Sequence, residues 1–195
     1  MLDLRIQQHF IDSADLQYQA AEPLVKPVEA GVHALLACVT SGGKVLVTGW
    51  GGTAAAAPYF ASLFVGGFER ERPELAALAL TAEGAPWAAL PDDQVLARQV
   101  RALGHMGDVL MVLTSTGDEP MLQQAVRSAH ERDMTVIALT GKGGGALAKL
   151  LRETDVHVCV PHDRAARIRE VQQLVLHCLC DGVDAQLLGE QELSE

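Results

Sequence analysis

The chain has 195 residues, 49% hydrophobic, 21% charged and only 4% aromatic, which suits one globular domain burying roughly 70% of its unfolded surface without a disulfide or metal staple. Lys and Arg number 15 against 25 Asp and Glu, and the resulting formal charge of -10 argues against a duplex-DNA binder, which needs a concentrated basic surface. Cys38, Cys159, Cys178 and Cys180 form no C-x-x-C pair and read as thiols of a reducing compartment, with no zinc framework. The N-terminus lacks an apolar signal core and no segment approaches 18 uninterrupted apolar residues, so a cytoplasmic protein without membrane contact is expected.

Two helical patterns come first. Leu2 to Gln19 carries Leu2, Ile6, Phe10 and Ala14 at helical spacing, and Pro23 to Thr40 carries Val28, Val32, Leu35, Leu36 and Val39. The period then changes: Lys44 to Thr48, Ala76 to Thr81, Val109 to Leu113, Met134 to Thr140 and Val156 to Val160 are short, nearly continuous apolar runs, as in strands buried on both faces. Helical stretches lie between them near Thr53 to Val65, Gln94 to Leu103, Glu119 to Arg132 and Ala146 to Leu151, and a long one runs from Arg164 to Leu188. This alternation predicts an α/β protein with a doubly wound parallel sheet, whose ligands bind beyond the carboxyl ends of the strands. Thr53 to Val65 is apolar on every side, so either another subunit covers it or it is sandwiched inside its own domain.

The loops after the strands carry the candidate chemistry. Gly49-Trp50-Gly51-Gly52-Thr53-Ala54 formally satisfies G-x-G-x-x-A, but the next strand ends in Thr81 where a nicotinamide site wants an acid. A ligand-free strand-to-helix turn and a phosphate gripped by Thr53 are the other readings. Thr114-Ser115-Thr116-Gly117 offers hydroxyls at a helix start, yet Asp118 and Glu119 share that terminus and can cap it themselves. Gly141 to Gly145 is a flexible turn rather than a Walker loop, since no Ser or Thr follows Lys142. On the last helix Glu170, Gln173, His177 and Asp181 form a polar stripe, in which His177 is the histidine to watch.

In this order and spacing TGWGGTAAA, LTSTGDE, MTVIALTGKGGG and ARIREVQQLVLHCLCD resemble the sugar isomerase (SIS) domain over nearly the whole chain, and are similar to phosphoheptose isomerase and to the DnaA initiator-associating protein. The resemblance implies one domain over residues 1–195: a three-layer αβα sandwich with a five-stranded, flavodoxin-like parallel sheet in residues 42–195, and an N-terminal helical hairpin, residues 1–41, used in forming a homotetramer. It implies a phosphosugar pocket built from Gly51, Gly52 and Thr53 after the first strand and Thr114, Ser115 and Thr116 after the third.

The family's isomerases carry a metal-binding histidine, a catalytic glutamate and a glutamine metal ligand at positions that match Tyr59, Leu63 and Arg169, and a general acid/base histidine that matches His177. With a phenol, an alkyl group and a guanidinium in three of these places, the expectation is a non-catalytic protein with no metal and His177 as the residual catalytic candidate. Cys178-Leu179-Cys180-Asp181, the tail GEQELSE and the segment Val100 to Leu110 favour the initiator-associating relative. That resemblance implies binding of a DnaA-type initiator protein and a part in replication initiation, several copies of one patch being presented by the tetramer without contact to nucleic acid. Leu187 and Leu188 cannot both face one side of a helix; one anchors a partner, or the two clasp their own subunit. The alternatives are a zinc-dependent isomerase of sedoheptulose 7-phosphate and a sensor binding a phosphosugar at Thr53, Ser115 and Thr116.

Overall fold

Runs of Val, Leu, Ile and Met with no polar alternation become strands covered by helices on both sides. The computed structural model describes residues 1–82 and 91–189; the acidic ending beyond Gly189 lies outside the described residues. Its elements are α1 (Leu2–Thr40), β1 (Val45–Gly49), α2 (Ala56–Gly66), β2 (Ala77–Ala79), α3 (Val95–Leu103), β3 (Val109–Leu113), α4 (Pro120–Glu131), β4 (Thr135–Gly141), α5 (Gly145–Ala148), β5 (Val156–Val160) and α6 (Ala165–Leu188). The five strands are all parallel, in the order β2-β1-β3-β4-β5. The doubly wound sheet read from the sequence is present, two of its strands with the predicted limits.

Alternate side chains build two cores. Val45, Val47, Met111, Leu113, Ile137 and Val158 face α1, α2 and α6, while Leu46, Leu110, Val112, Val136 and Ala138 face α3, α4 and α5. Most of these residues are fully buried, and each such side chain contributes roughly 1.5–3 kcal/mol through removal from water. Among the thiols, burial pushes Cys38 up to about 11 and Cys180 up to about 12, which keeps both unreactive.

The expected N-terminal hairpin is replaced by one continuous helix of 39 residues, about 58 Å long. Pro23 and Pro27 lie within it. A proline removes one helical hydrogen bond, but Pro23 and Gln19 are exposed, so water serves the orphaned Gln19 carbonyl. The buried stripe Leu16, Ala20, Leu24, Gly31, Val32, Leu35, Cys38 runs straight through the proline region. Continuity also comes from packing on α6: a Cβ on Gly31 would stand 2.8 Å from Leu179, and one on Gly182 2.6 Å from Val32, so each helix presents a glycine to a branched side chain of the other. Near the start of α6, Ser13 donates to Glu170 at 2.7 Å and Arg167 donates to the His9 carbonyl at 2.5 Å. The first turns of α1 carry exposed Leu2, Leu4, Ile6, Phe10 and Ile11.

At the opposite edge of the strands from the site, Asp108 accepts from the Lys44 amide (2.9 Å), the Lys44 ammonium (2.5 Å) and the His105 amide (2.8 Å), tying the entrance of β1 to that of β3. Burial opposes ionisation of this carboxyl, but the bonds from Lys44 and His105 outweigh it and hold it below the usual range. A carboxyl lowered in the folded state stabilises the fold above its unfolded pKa of about 3.9, and that contribution is lost as the pH falls through the folded value. Asp108→Asn is expected to lower stability at pH 7 by about 2 kcal/mol in urea melts, with parent and variant converging as the pH falls below about 4.

Candidate functional site

The strand order reverses between β1 and β3: the chain leaves β1 for β2 on one side and continues through β3 on the other. In such sheets the crevice outside the carboxyl ends at this switch point receives the ligand. Gly49 and Leu113 are partners in register, so the turn after β1 and the loop after β3 emerge side by side. Thr53 joins them. Its hydroxyl lies 2.7 Å from the Leu113 carbonyl and 2.8 Å from the Trp50 carbonyl, and accepts from the Trp50 amide at 3.2 Å. The side chain is buried, and the amides of Thr53 and Ala54 turn inward onto Trp50 and Gly51. Thr53 is thus an internal tie between two loops, its hydroxyl and amide already engaged within the chain where the sequence suggested a phosphate grip. Gly51 sits beside it, exposed at a φ of +56°.

The hydroxyl loop differs from expectation as well. Asp118 and Glu119 do not cap α4, whose N-cap Glu119 makes no side-chain cap bond. Instead the Glu119 carboxylate accepts one hydroxyl on each oxygen, from Thr116 at 2.6 Å and from Thr114 at 2.8 Å. The Thr114 hydroxyl in turn accepts the amides of Thr116 (3.0 Å) and Gly117 (3.1 Å). Asp118 caps the next loop, accepting from the Ala146 amide at 2.9 Å. Gly117, at φ +86°, abuts the Gly144 carbonyl, and the Leu147 amide donates to the Gly117 carbonyl at 2.9 Å. The glycines after β4 therefore form a tight brace, with φ positive from Lys142 through Gly145, rather than a flexible turn.

Between the turn after β1 and α6 lies a cavity of about 330 Å³ lined by Gly52, Thr53, Ala55, Ala56, Tyr59, Arg169, Gln172 and Gln173. Helix α2 supplies Tyr59, and α6 supplies Arg169, Gln172 and Gln173 at helical spacing. His177, one turn beyond Gln173, stands half-buried behind this wall. Its Nε2 is 2.8 Å from the Tyr59 hydroxyl and 3.2 Å from the Gln173 amide, and Phe68 stacks on its ring at 5.2 Å. The histidine of the polar stripe is therefore held by three neighbours rather than left in solvent. Other stripe members serve elsewhere: Glu170 binds Ser13 and Arg167. Leu63, one turn after Tyr59, packs against the core and brings no titratable group.

Three features escaped sequence reasoning. Gln172, buried, donates to the Thr114 carbonyl at 2.7 Å and fixes α6 to the hydroxyl loop. Arg169 lays its guanidinium over Gly52, where a Cβ would collide with it. Tyr59 meets a histidine 118 positions away. A polar residue every third or fourth position on α6, facing a glycine turn, was the available signal for the first two. Of the remaining sites read from sequence, Ser115 is half-buried in the hydroxyl loop, and Leu187 and Leu188 are both exposed at the end of α6, where Arg70 donates to the Gly189 carbonyl at 2.9 Å. Among the described residues no helix is long and apolar enough to cross a membrane.

A family model described as the SIS domain matches residues 8–141. A phosphoheptose isomerase of Methylibium petroleiphilum is 57% identical over 198 residues, covering 100% of this chain and 99% of its own. Among solved structures, phosphoheptose isomerase from Neisseria gonorrhoeae superposes with a TM-score of 0.88 at 41% identity, covering 95% of this chain and 100% of that one. The enzyme from Francisella tularensis gives 0.89 at 38%, covering 94% and 98%. These full-length likenesses overturn the expectation of a non-catalytic DnaA-binding protein and its role in replication initiation. The physical ground for that expectation, loss of the family's catalytic groups, left out the geometry: His177 is not isolated but hydrogen-bonded to a phenol on the cavity wall.

Two glycines of the first turn are expected to respond differently to alanine. A Cβ on Gly49 would stand 2.5 Å from the Thr53 carbonyl oxygen, which is backbone, whereas on Gly52 it meets only the movable end of Arg169. Gly49→Ala should cost about 2 kcal/mol or more and Gly52→Ala less than about 1, read as shifts in the urea midpoint.

Proposed function

Because the chain belongs to the SIS-domain family and, within it, to the phosphoheptose isomerases, we propose that it interconverts a ketose phosphate and its aldose isomer, with sedoheptulose 7-phosphate as substrate. The observation that supports this most is the 2.8 Å contact between the Tyr59 hydroxyl, on the cavity wall, and His177 Nε2 behind it. Ketose–aldose isomerisation moves a proton between neighbouring carbons through an enediol, and needs one group that can both take and return protons.

The Tyr59–His177 couple meets that need in three steps. A phenol that passes its proton to the imidazole takes one from C1 of the ketose. The restored phenol then protonates the C2 oxygen of the enediolate, and the imidazolium refills it. The same exchanges in reverse order at C2 and the C1 oxygen give the aldose and return the couple to its starting state. Gln173, reaching the same imidazole nitrogen at 3.2 Å, keeps the ring turned toward Tyr59. Zinc, which the family resemblance brings with an isomerase, meets a donor set that does not fit it. Tyr59, Leu63 and Arg169 offer a phenol, an alkyl group and a cation, and among the described residues no three His, Cys, Asp or Glu converge.

Leu63, at the place where the resemblance calls for a carboxylate base, favours a second reading: phosphosugar binding without turnover. Turnover separates the two. A coupled assay on sedoheptulose 7-phosphate should show isomerisation that falls by a factor on the order of 100 or more in Tyr59→Phe and in His177→Ala, with the double variant no worse than the weaker single one, as for groups that act as a unit. No turnover by the parent chain, or undiminished turnover in Tyr59→Phe, rejects the isomerase.

For assembly we propose a homotetramer, in which further copies cover the exposed Leu2, Leu4, Ile6 and Phe10 of α1 and Val65 of α2. Light scattering should read four chains for the parent and fewer for Phe10→Asp; a monomeric parent rejects the assembly.

A further inference from the structure

Where the sugar's charged end rests follows from two charged groups, Glu119 in the hydroxyl loop and Arg169 on the cavity wall. The hydroxyl loop after β3 already contains an anion. Both oxygens of Glu119 are engaged by the hydroxyls of Thr114 and Thr116, and the Thr114 hydroxyl is held by two backbone amides. A phosphate entering that loop would meet a carboxylate and find the hydroxyls of Thr114 and Thr116 taken.

Arg169 is the opposite case. It lies over Gly52, which has room for it only because it lacks a Cβ, and its guanidinium lines the cavity. Among the described residues it makes no hydrogen bond and no ion pair. The other cavity side chains, from Thr53, Ala55, Ala56, Tyr59, Gln172 and Gln173, carry no formal charge when Tyr59 is protonated, so Arg169 gives this cavity of a -10 chain a positive charge with no acid among the described lining residues. A guanidinium presents a planar fork of donors suited to a phosphate monoester.

We propose that Arg169 is the specificity-determining residue that binds the phosphate of the substrate, and that Glu119 keeps the hydroxyl loop closed to it. This rests on the phosphosugar reading of the site. Arg169 and His177 are eight residues apart on one helix, about 12 Å of axial rise. An open-chain phosphosugar lies along that line with its phosphate over Gly52 and its carbonyl carbons at Tyr59.

Calorimetric titration tests this on the full chain, with inorganic phosphate and with sedoheptulose 7-phosphate as probes. Arg169→Gln should weaken both at least tenfold, Arg169→Lys by less, since it keeps the charge and loses the fork, and Glu119→Gln should leave both unchanged or tighter by a few fold. Arg169 is exposed and, among the described residues, without bonded partners, so its variants keep the parent's melting curve. Unchanged affinity in Arg169→Gln, weaker binding in Glu119→Gln, or no phosphate binding by the parent overturns the assignment. Turnover fails independently: a chain that binds phosphate through Arg169 but does not isomerise the sugar keeps this inference and loses the isomerase. One whose KM is untouched by Arg169→Gln keeps the isomerase and loses the inference.

Discussion

The parallel pairing of β1 with β3 is the constraint on which the site depends. Five residue pairs, from Val45–Val109 to Gly49–Leu113, bring together strands whose first residues are 64 positions apart in sequence, and they leave two loops adjacent at the carboxyl ends. The buried Thr53 hydroxyl then fixes the separation of those loops by binding carbonyls from both. Everything that faces the cavity is referenced to that tie: α2 starts just after it and sets Tyr59, and Gln172 of α6 attaches to the neighbouring Thr114 carbonyl. A residue whose type suggested ligand binding thus serves to position the side chains that line the cavity.

Two charged side chains stand out at the loops of a fold shared with relatives of known structure. Glu119 places a negative charge inside the hydroxyl loop, and Arg169 places a positive one over the glycine turn. Arg169 thereby gives the cavity wall a formal charge through a side chain rather than through backbone amides alone. A guanidinium on a helix facing a glycine is a compact arrangement, because the missing Cβ lets the cation approach the peptide plane closely.

Legibility followed periodicity. β3 and β5 have the limits read from their apolar runs, and the helices differ by a few residues, because burial on both faces writes itself directly into composition. The apolar spacing reads as two helices, Leu2 to Gln19 and Pro23 to Thr40, whereas the buried stripe packed on α6 carries one helix through Pro23 and Pro27 and outweighs two missing hydrogen bonds. The site was half legible. Glycines and hydroxyls marked the right loops, but partner choice among polar side chains has no period: nothing in LTSTGDE says that Glu119 folds back on Thr114 and Thr116 while Asp118 turns to Ala146. Nor does spacing reveal that Tyr59 reaches His177.

The first and last helices of the chain pack against each other, through Gly31 on Leu179 and Gly182 on Val32. During synthesis the N-terminal helix leaves the ribosome long before its mate exists, at about 5–20 residues per second. Its greasy stripe of Leu16, Leu24, Val32 and Leu35 must wait for a helix that begins only at Ala165. Completion of the domain therefore waits for α6, and until it arrives the nascent chain carries an uncovered apolar surface of the kind that makes folding intermediates prone to aggregate.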